Sequence, residues 1–132
     1  MIDALGPVAI DTLATDPAVL VGLGGAIGAI LRHRLYLAVS DDRFPWPTLL
    51  VNVLGSFVFG LVAFAGAGEP VMQFVALGIC GAFTTFATFS VETVGLWERG
   101  DRGTAALNAA SNLVASLAAI GLAWVLVAVV VG

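Results

Sequence analysis

Gly78-Ile79-Cys80-Gly81-Ala82-Phe83-Thr84-Thr85-Phe86-Ala87-Thr88-Phe89-Ser90 carries no charge, and it lies inside a longer uncharged run from Pro70 to Val91. The 22 residues of that run, as a helix, rise about 33 Å, enough to cross a hydrocarbon core of about 30 Å. Gly81 and the two Thr residues after it are weak helix formers, so the helix is expected to break near 81–85. A break at mid-membrane frees carbonyl and N–H groups, which persist there only where they line a cavity or hold an ion. Carbonyl oxygens beside a Thr suit a hard cation such as Na⁺. Phe86 and Phe89 share roughly one face, and a Phe stripe is usually core packing. Here it is interleaved with Thr85, Thr88 and Ser90, which is odd for a plain core.

Two further runs lack Asp, Glu, Lys and Arg: 25 residues from Phe44 to Gly68 and 30 from Gly103 to Gly132. A fourth apolar stretch, Ala18 to Val39, is long enough to span if Arg32, His33 and Arg34 reach an interface or a wet cavity. A re-entrant segment is the alternative there. Of the 132 residues, 60% are apolar and 11% charged, far from the composition of a soluble domain. The expected fold is all-α and integral to a membrane. Transmembrane helices are expected near 18–39, 47–67, 70–97 and 103–130, the third broken at mid-membrane, after a short lead-in over residues 1–17. Pro47 and Pro70 suit first helical turns, Gly66 and Gly68 mark a stop, and Trp46 and Trp97 sit where interfacial anchors belong. The runs are too long, and lack period-two alternation, for a β-barrel. The lead-in carries Asp3, Asp11 and Asp16 and no basic residue, so no signal peptide is expected.

The five basic residues are all Arg, and nine acidic residues bring the net charge to −4, which leaves no footprint for nucleic acid. A single Cys excludes an internal disulfide framework and a multi-cysteine zinc site. Cys80 reads as a small packing residue and His33 as an interfacial one. No Ser/His, Asp/Asp or His-rich set stands at a spacing that would make an intramembrane enzyme. With four spans both termini share one side with the 68–70 turn, and that side has no basic residue. Arg34, Arg43, Arg99 and Arg102 lie on the other, so the positive-inside rule puts the 40–46 and 98–102 loops in the cytoplasm and both termini outside.

Polar residues within the spans carry the functional signal. Asn52 and Ser56 are one turn apart beside Gly55 and Gly60. Gly24, Gly28 and Arg32 form a stripe of small residues ending in a cation. Both patterns also fit ordinary interhelical packing. Asn108, Asn112 and Ser116 make a polar track about 12 Å long, suited either to interhelical bonding or to handing a small anion along. Glu92 lies near the end of its span. Four helices scarcely bury such groups within one copy, so an oligomer is expected.

Gly24-Gly25-Ala26-Ile27-Gly28-Ala29 with Arg32, Thr48-Leu49-Leu50-Val51-Asn52 with Gly55-Ser56-Phe57, and Gly81-Ala82-Phe83-Thr84-Thr85-Phe86-Ala87-Thr88-Phe89-Ser90 with Glu92 resemble the Fluc fluoride channels, also called the CrcB family. The resemblance covers about residues 22–121. It implies an antiparallel dimer in the cell membrane of a prokaryote, with two fluoride pores at the subunit interface. It also implies a structural, untransported sodium ion on the two-fold axis, held by main-chain oxygens that map to Gly81 and Thr84. The candidate fluoride-pore residues are then Asn52, Phe86, Thr88, Phe89, Asn112 and Ser116, with Arg32 at a vestibule. Ala87 stands where the family often has Ser, and Asn112 where Ser or Thr is common.

The function so implied is passive fluoride export that lowers the cytoplasmic concentration. The Arg bias predicts a single orientation, which suits a heterodimer with a paralogue of opposite topology, whereas a homodimer needs a chain that inserts both ways. Two other readings remain: a small multidrug-type proton-coupled exporter, for which Glu92 is the sole carboxylate candidate, and a non-conducting subunit that needs a paralogous partner.

Overall fold

The computed structural model describes residues 6–39 and 41–132. Six helices follow in chain order: α1 (Pro7–Thr15), α2 (Pro17–Ala38), α3 (Trp46–Phe64), α4 (residues 69–83), α5 (Phe86–Glu98) and α6 (Arg102–Val131). The helix α4 is not uniform. It opens with an α turn, Glu69–Val71, widens into π-helix over Met72–Cys80 and closes with an α turn, Gly81–Phe83.

The helix starts follow from local chemistry. The Asp16 carboxylate accepts from the Ala18 and Val19 amides at 2.8 and 3.4 Å, and Pro17 fills the first position, where no N–H is needed. Asp101 caps α6 through the Thr104 amide at 3.1 Å. The helix α3 ends at Phe64, short of the expected 67, because Gly66 takes a left-handed φ of 66° that reverses the chain. The expected lead-in contains the helix α1, and its residues 1–5 lie outside the described residues.

Among the described residues four segments are long and apolar enough to cross a membrane: Pro17–Ala38, Trp46–Phe64, Glu69–Glu98 and Arg102–Val131. The chain is a multi-pass membrane protein. Its helices pair in twos, α2 against α4 and α3 against α6. Small residues make those pairings possible. A Cβ on Gly24 would overlap the Phe74 carbonyl oxygen, and one on Gly28 the Ile79 carbonyl oxygen, so α2 and α4 touch backbone to backbone. The apolar interior is filled by Leu49 and Val51 of α3 and by the small residues Ala76, Cys80, Ala105, Ala119 and Ala123, while large apolar side chains such as Ile30, Leu113, Val114 and Val129 are exposed. With no hydrophobic drive between helices in lipid, association rests on this close packing and on interhelical hydrogen bonds. Among its own residues α5 buries none, so it depends most on the hydrogen bonds.

Candidate functional site at the helix interruption

Halfway along the third span the helix stops at Phe83 and resumes at Phe86. Thr84 (φ −76°, ψ 159°) and Thr85 (φ −149°, ψ 116°) are extended, whereas Gly81 stays helical. At the interruption the two Thr side chains bond the adjoining helix ends. The Thr84 amide and hydroxyl both donate to the Cys80 carbonyl, at 3.0 and 2.9 Å, closing α4. The Thr85 hydroxyl oxygen accepts from the Thr88 amide at 3.1 Å, capping α5.

The remaining groups of the interruption are satisfied from two other spans. Asn52 on α3 takes the place of a backbone neighbour: its Oδ1 accepts from the Thr85 amide at 2.8 Å and its Nδ2 donates to the Thr85 carbonyl at 3.2 Å. Arg32 on α2 donates from Nη1 to the Thr84 carbonyl at 3.2 Å. Buried backbone groups need such partners in a medium without water.

From Asn52 a ladder of side-chain bonds runs in one direction. Asn52 Nδ2 donates to Asn112 Oδ1 at 2.9 Å, and Asn112 Nδ2 to Asn108 Oδ1 at 2.9 Å. Asn108 Nδ2 donates to the Thr93 hydroxyl at 2.9 Å, and Thr93 to the Phe89 carbonyl at 2.7 Å. Backbone groups fix its polarity at three points. The Thr85 amide can only donate, and the Asn108 and Phe89 carbonyls, bonded by Asn112 Nδ2 and the Thr93 hydroxyl, can only accept. Both amide hydrogens of Asn52 and both of Asn112 are thereby engaged.

Between α3, the interruption, α5 and α6 lies a cavity of about 350 Å³. Asn52 and Ser56 line one wall, Thr84, Thr85, Phe86 and Phe89 another, and Asn112 and Ser116 the third. None of the lining residues is charged. The two phenyl rings are tilted by 45° with centroids 5.8 Å apart, and Phe86 is 78% exposed, so this wall is open. Among the described residues, the Ser56 and Ser116 hydroxyls make no hydrogen bond, which leaves them free as donors toward the cavity.

Residues 19–124 match the family described as CrcB-like protein, Camphor Resistance (CrcB). A protein named fluoride-specific ion channel FluC 2 from Haloarcula marismortui is 52% identical, over 89% of this chain and 99% of the relative. Fluoride-specific ion channel FluC 1 of Halobacterium salinarum is 48% identical over 85% of this chain and 94% of its own length. Fluoride-specific ion channel FluC of Idiomarina loihiensis is 42% identical over 80% and 88%. The chain belongs to the CrcB-like family.

In this CrcB-like chain five of the six candidate pore residues, Asn52, Phe86, Phe89, Asn112 and Ser116, line one cavity. Thr88 does not. It lines a separate cleft of about 320 Å³ together with the vestibule candidate Arg32, His33 and Tyr36. Gly81 and Thr84 share a third cavity, of about 280 Å³, with Gly55, Ser56 and Cys80. Among the described residues no cluster of three His, Cys, Asp or Glu side chains could hold a metal.

Sequence reasoning missed a second polar set. The Tyr36 hydroxyl donates to the Thr48 hydroxyl oxygen at 2.6 Å, and Thr48, fully buried, donates to Glu92 Oε1 at 2.9 Å. The other Glu92 oxygen is buried without a partner. A signal for this set was present: Thr48, Asn52 and Ser56 recur at every fourth position, so all three lie on one face of α3.

Proposed function

We propose that the chain is a fluoride-selective channel of the cell membrane of a prokaryote, which lets fluoride leave the cytoplasm passively through a pore completed by a second, antiparallel copy or by a paralogue of opposite topology. The observation that carries the reading is the open, uncharged cavity walled by two tilted phenyl rings and two free hydroxyls. The edge of a phenyl ring bears the positive part of its quadrupole and a hydroxyl donates a hydrogen bond, so both solvate a small anion without a full charge. Conduction requires sites that are weak and repeated. The names of the relatives point to the same ion. The exposure of Phe86 leaves the pore wall incomplete in one chain, which is what supports a pore shared between two.

A structural sodium ion belongs to the same proposal, and the residues fit it as half a site. Thr85, which would ordinarily bond the Gly81 carbonyl, gives its N–H to Asn52, and Thr84 is extended, so both carbonyls are released from the helical pattern. One lone pair of the Thr84 oxygen is taken by Arg32 and the other remains. Gly81 and Thr84 would hold the ion, two oxygens from each copy, and it would supply a fixed charge that ties the two copies together.

The Arg bias favours a second arrangement, in which this chain is inserted one way and conducts only with an opposite partner. The test is ion efflux from liposomes holding this chain alone, comparing fluoride with chloride, and wild type with Phe86→Ile and Asn52→Asp. Selective fluoride efflux lost in both variants is the expected result and would also establish a working homodimer. Efflux restored only by an oppositely biased paralogue would assign the heterodimer. Absence of fluoride flux under both conditions would refute the channel reading, and flux that needs a proton gradient would favour an exchanger built on Glu92.

A further inference from the structure

We propose that Asn108 is a positioning residue for the phenyl wall of the cavity, acting through Thr93. This rests on the channel reading above for its functional meaning and on geometry alone for its structural part. Asn108 is fully buried on α6 and does not line the cavity, so it is not an ion ligand. Its Nδ2 reaches across to the Thr93 hydroxyl, which in turn donates to the carbonyl of Phe89, one turn back on α5.

What makes this bond consequential is how little else fixes the rotation of α5 within the chain. The helix carries both rings yet has no buried residue of its own. Among the described residues three hydrogen-bonded contacts attach it, Asn52 at the Thr85 cap, Thr48 at Glu92 and Asn108 at Thr93, and at its far end the Arg102 guanidinium lies over the Trp97 ring at 4.9 Å. The first sits before its first turn, and the third is the one bonded to the turn that bears Phe89. A side chain reaches about 6 Å from a helix axis, so a rotation of α5 by about 20° would displace a ring by about 2 Å. That shift changes what the ring offers, because the edge attracts an anion and the face repels it. The Asn108–Thr93 bond therefore sets whether Phe89 presents its edge to the cavity.

Thr93→Val is nearly isosteric and removes only the hydroxyl, Thr93→Ser keeps it, and Asn108→Ala removes the donor. Two readouts apply to the full chain reconstituted in liposomes or bicelles, with its partner if one is required: fluoride efflux, and the ¹⁹F NMR line of 4-fluorophenylalanine placed at position 89. Losing one interhelical hydrogen bond, worth about 0.6–2 kcal/mol in a membrane, corresponds to roughly a three- to thirtyfold change. Thr93→Val and Asn108→Ala are expected to lower fluoride efflux by that factor and to shift or broaden the ring resonance. Thr93→Ser is expected to leave both as in wild type. Unchanged ring spectra in both Thr93→Val and Asn108→Ala would overturn the proposal, as would equal loss in Thr93→Ser and Thr93→Val. If the wild type carries no fluoride the channel reading fails, and the ring spectra alone then decide the positioning role. Should Asn108→Ala not fold, the Thr93 pair carries the test.

Discussion

Gly24→Ala and Gly22→Ala add the same methyl group to the same helix, two residues apart, and are expected to have opposite effects. At Gly24 the new Cβ would overlap the Phe74 carbonyl oxygen and lie 3.0 Å from Gly78 Cα and 3.1 Å from the Ile79 amide nitrogen. All three are backbone atoms, so no rotamer change relieves the contact, and α2 and α4 must separate by about 1 Å. A gap of 0.5–1 Å forfeits roughly a quarter to a half of each contact, at about 0.1–0.2 kcal/mol per atom pair. Over a few dozen pairs that comes to about 1–3 kcal/mol, the usual range for overpacking. Gly28→Ala meets the Ile79 carbonyl oxygen and should cost a similar amount. At Gly22 nothing lies within 4 Å, so Ala there removes a poor helix former and stabilises by up to about 1 kcal/mol. The assay is reversible unfolding by dodecyl sulfate in mixed micelles, followed by helical circular dichroism. Equal effects at positions 22 and 24, or a neutral Gly24→Ala, would refute the inference that α2 and α4 are in backbone contact and that this contact sets their spacing.

Two further predictions concern the cavity itself. Ser56→Ala and Ser116→Ala remove hydroxyls that have no partner among the described residues, so each should lower fluoride efflux severalfold while unfolding stability stays within about 0.5 kcal/mol of wild type; a large stability loss would show that the hydroxyls are structural. Gly55→Ala drives its methyl into Thr84 Cγ2 and should cost about 1–2 kcal/mol together with flux, whereas adding Thr84→Ser, which lacks that methyl, should recover both in the same unfolding and efflux assays.

The spans were legible because charge-free runs of membrane length leave little choice of fold, and the glycine stripe on α2 announced close packing before any partner was known. Periodicity could not reveal which helix that stripe meets, since small residues pack against any backbone. Nor did composition say which residues of Gly81 to Thr85 would leave the helix. Gly81 has the lower propensity, yet it stays helical, and the two Thr residues leave where the Thr85 hydroxyl caps α5 and Asn52 and Arg32 take up the freed backbone groups. The same limit applied to Asn52 and Asn112. Sequence marks them as polar and correctly aligned, but only three-dimensional neighbours reveal that their amide hydrogens are bonded to Thr85, Asn112 and Asn108.

That engagement bears on how an anion could pass without being trapped. Two unit charges 3 Å apart interact by about 5 kcal/mol at an effective dielectric of 20, roughly four orders of magnitude in dwell time. A cation in the wall would thus hold a small anion far too long. The arrangement avoids this twice over. Arg32 is placed in a neighbouring cleft with its guanidinium bonded to the Thr84 carbonyl, so its field reaches the cavity while its N–H groups do not line it. The strongest neutral donors, the amides of Asn52 and Asn112, are tied into the interruption and the ladder. What remains facing the open space are two hydroxyls without an intramolecular partner among the described residues and two phenyl rings, none of them carrying a full charge.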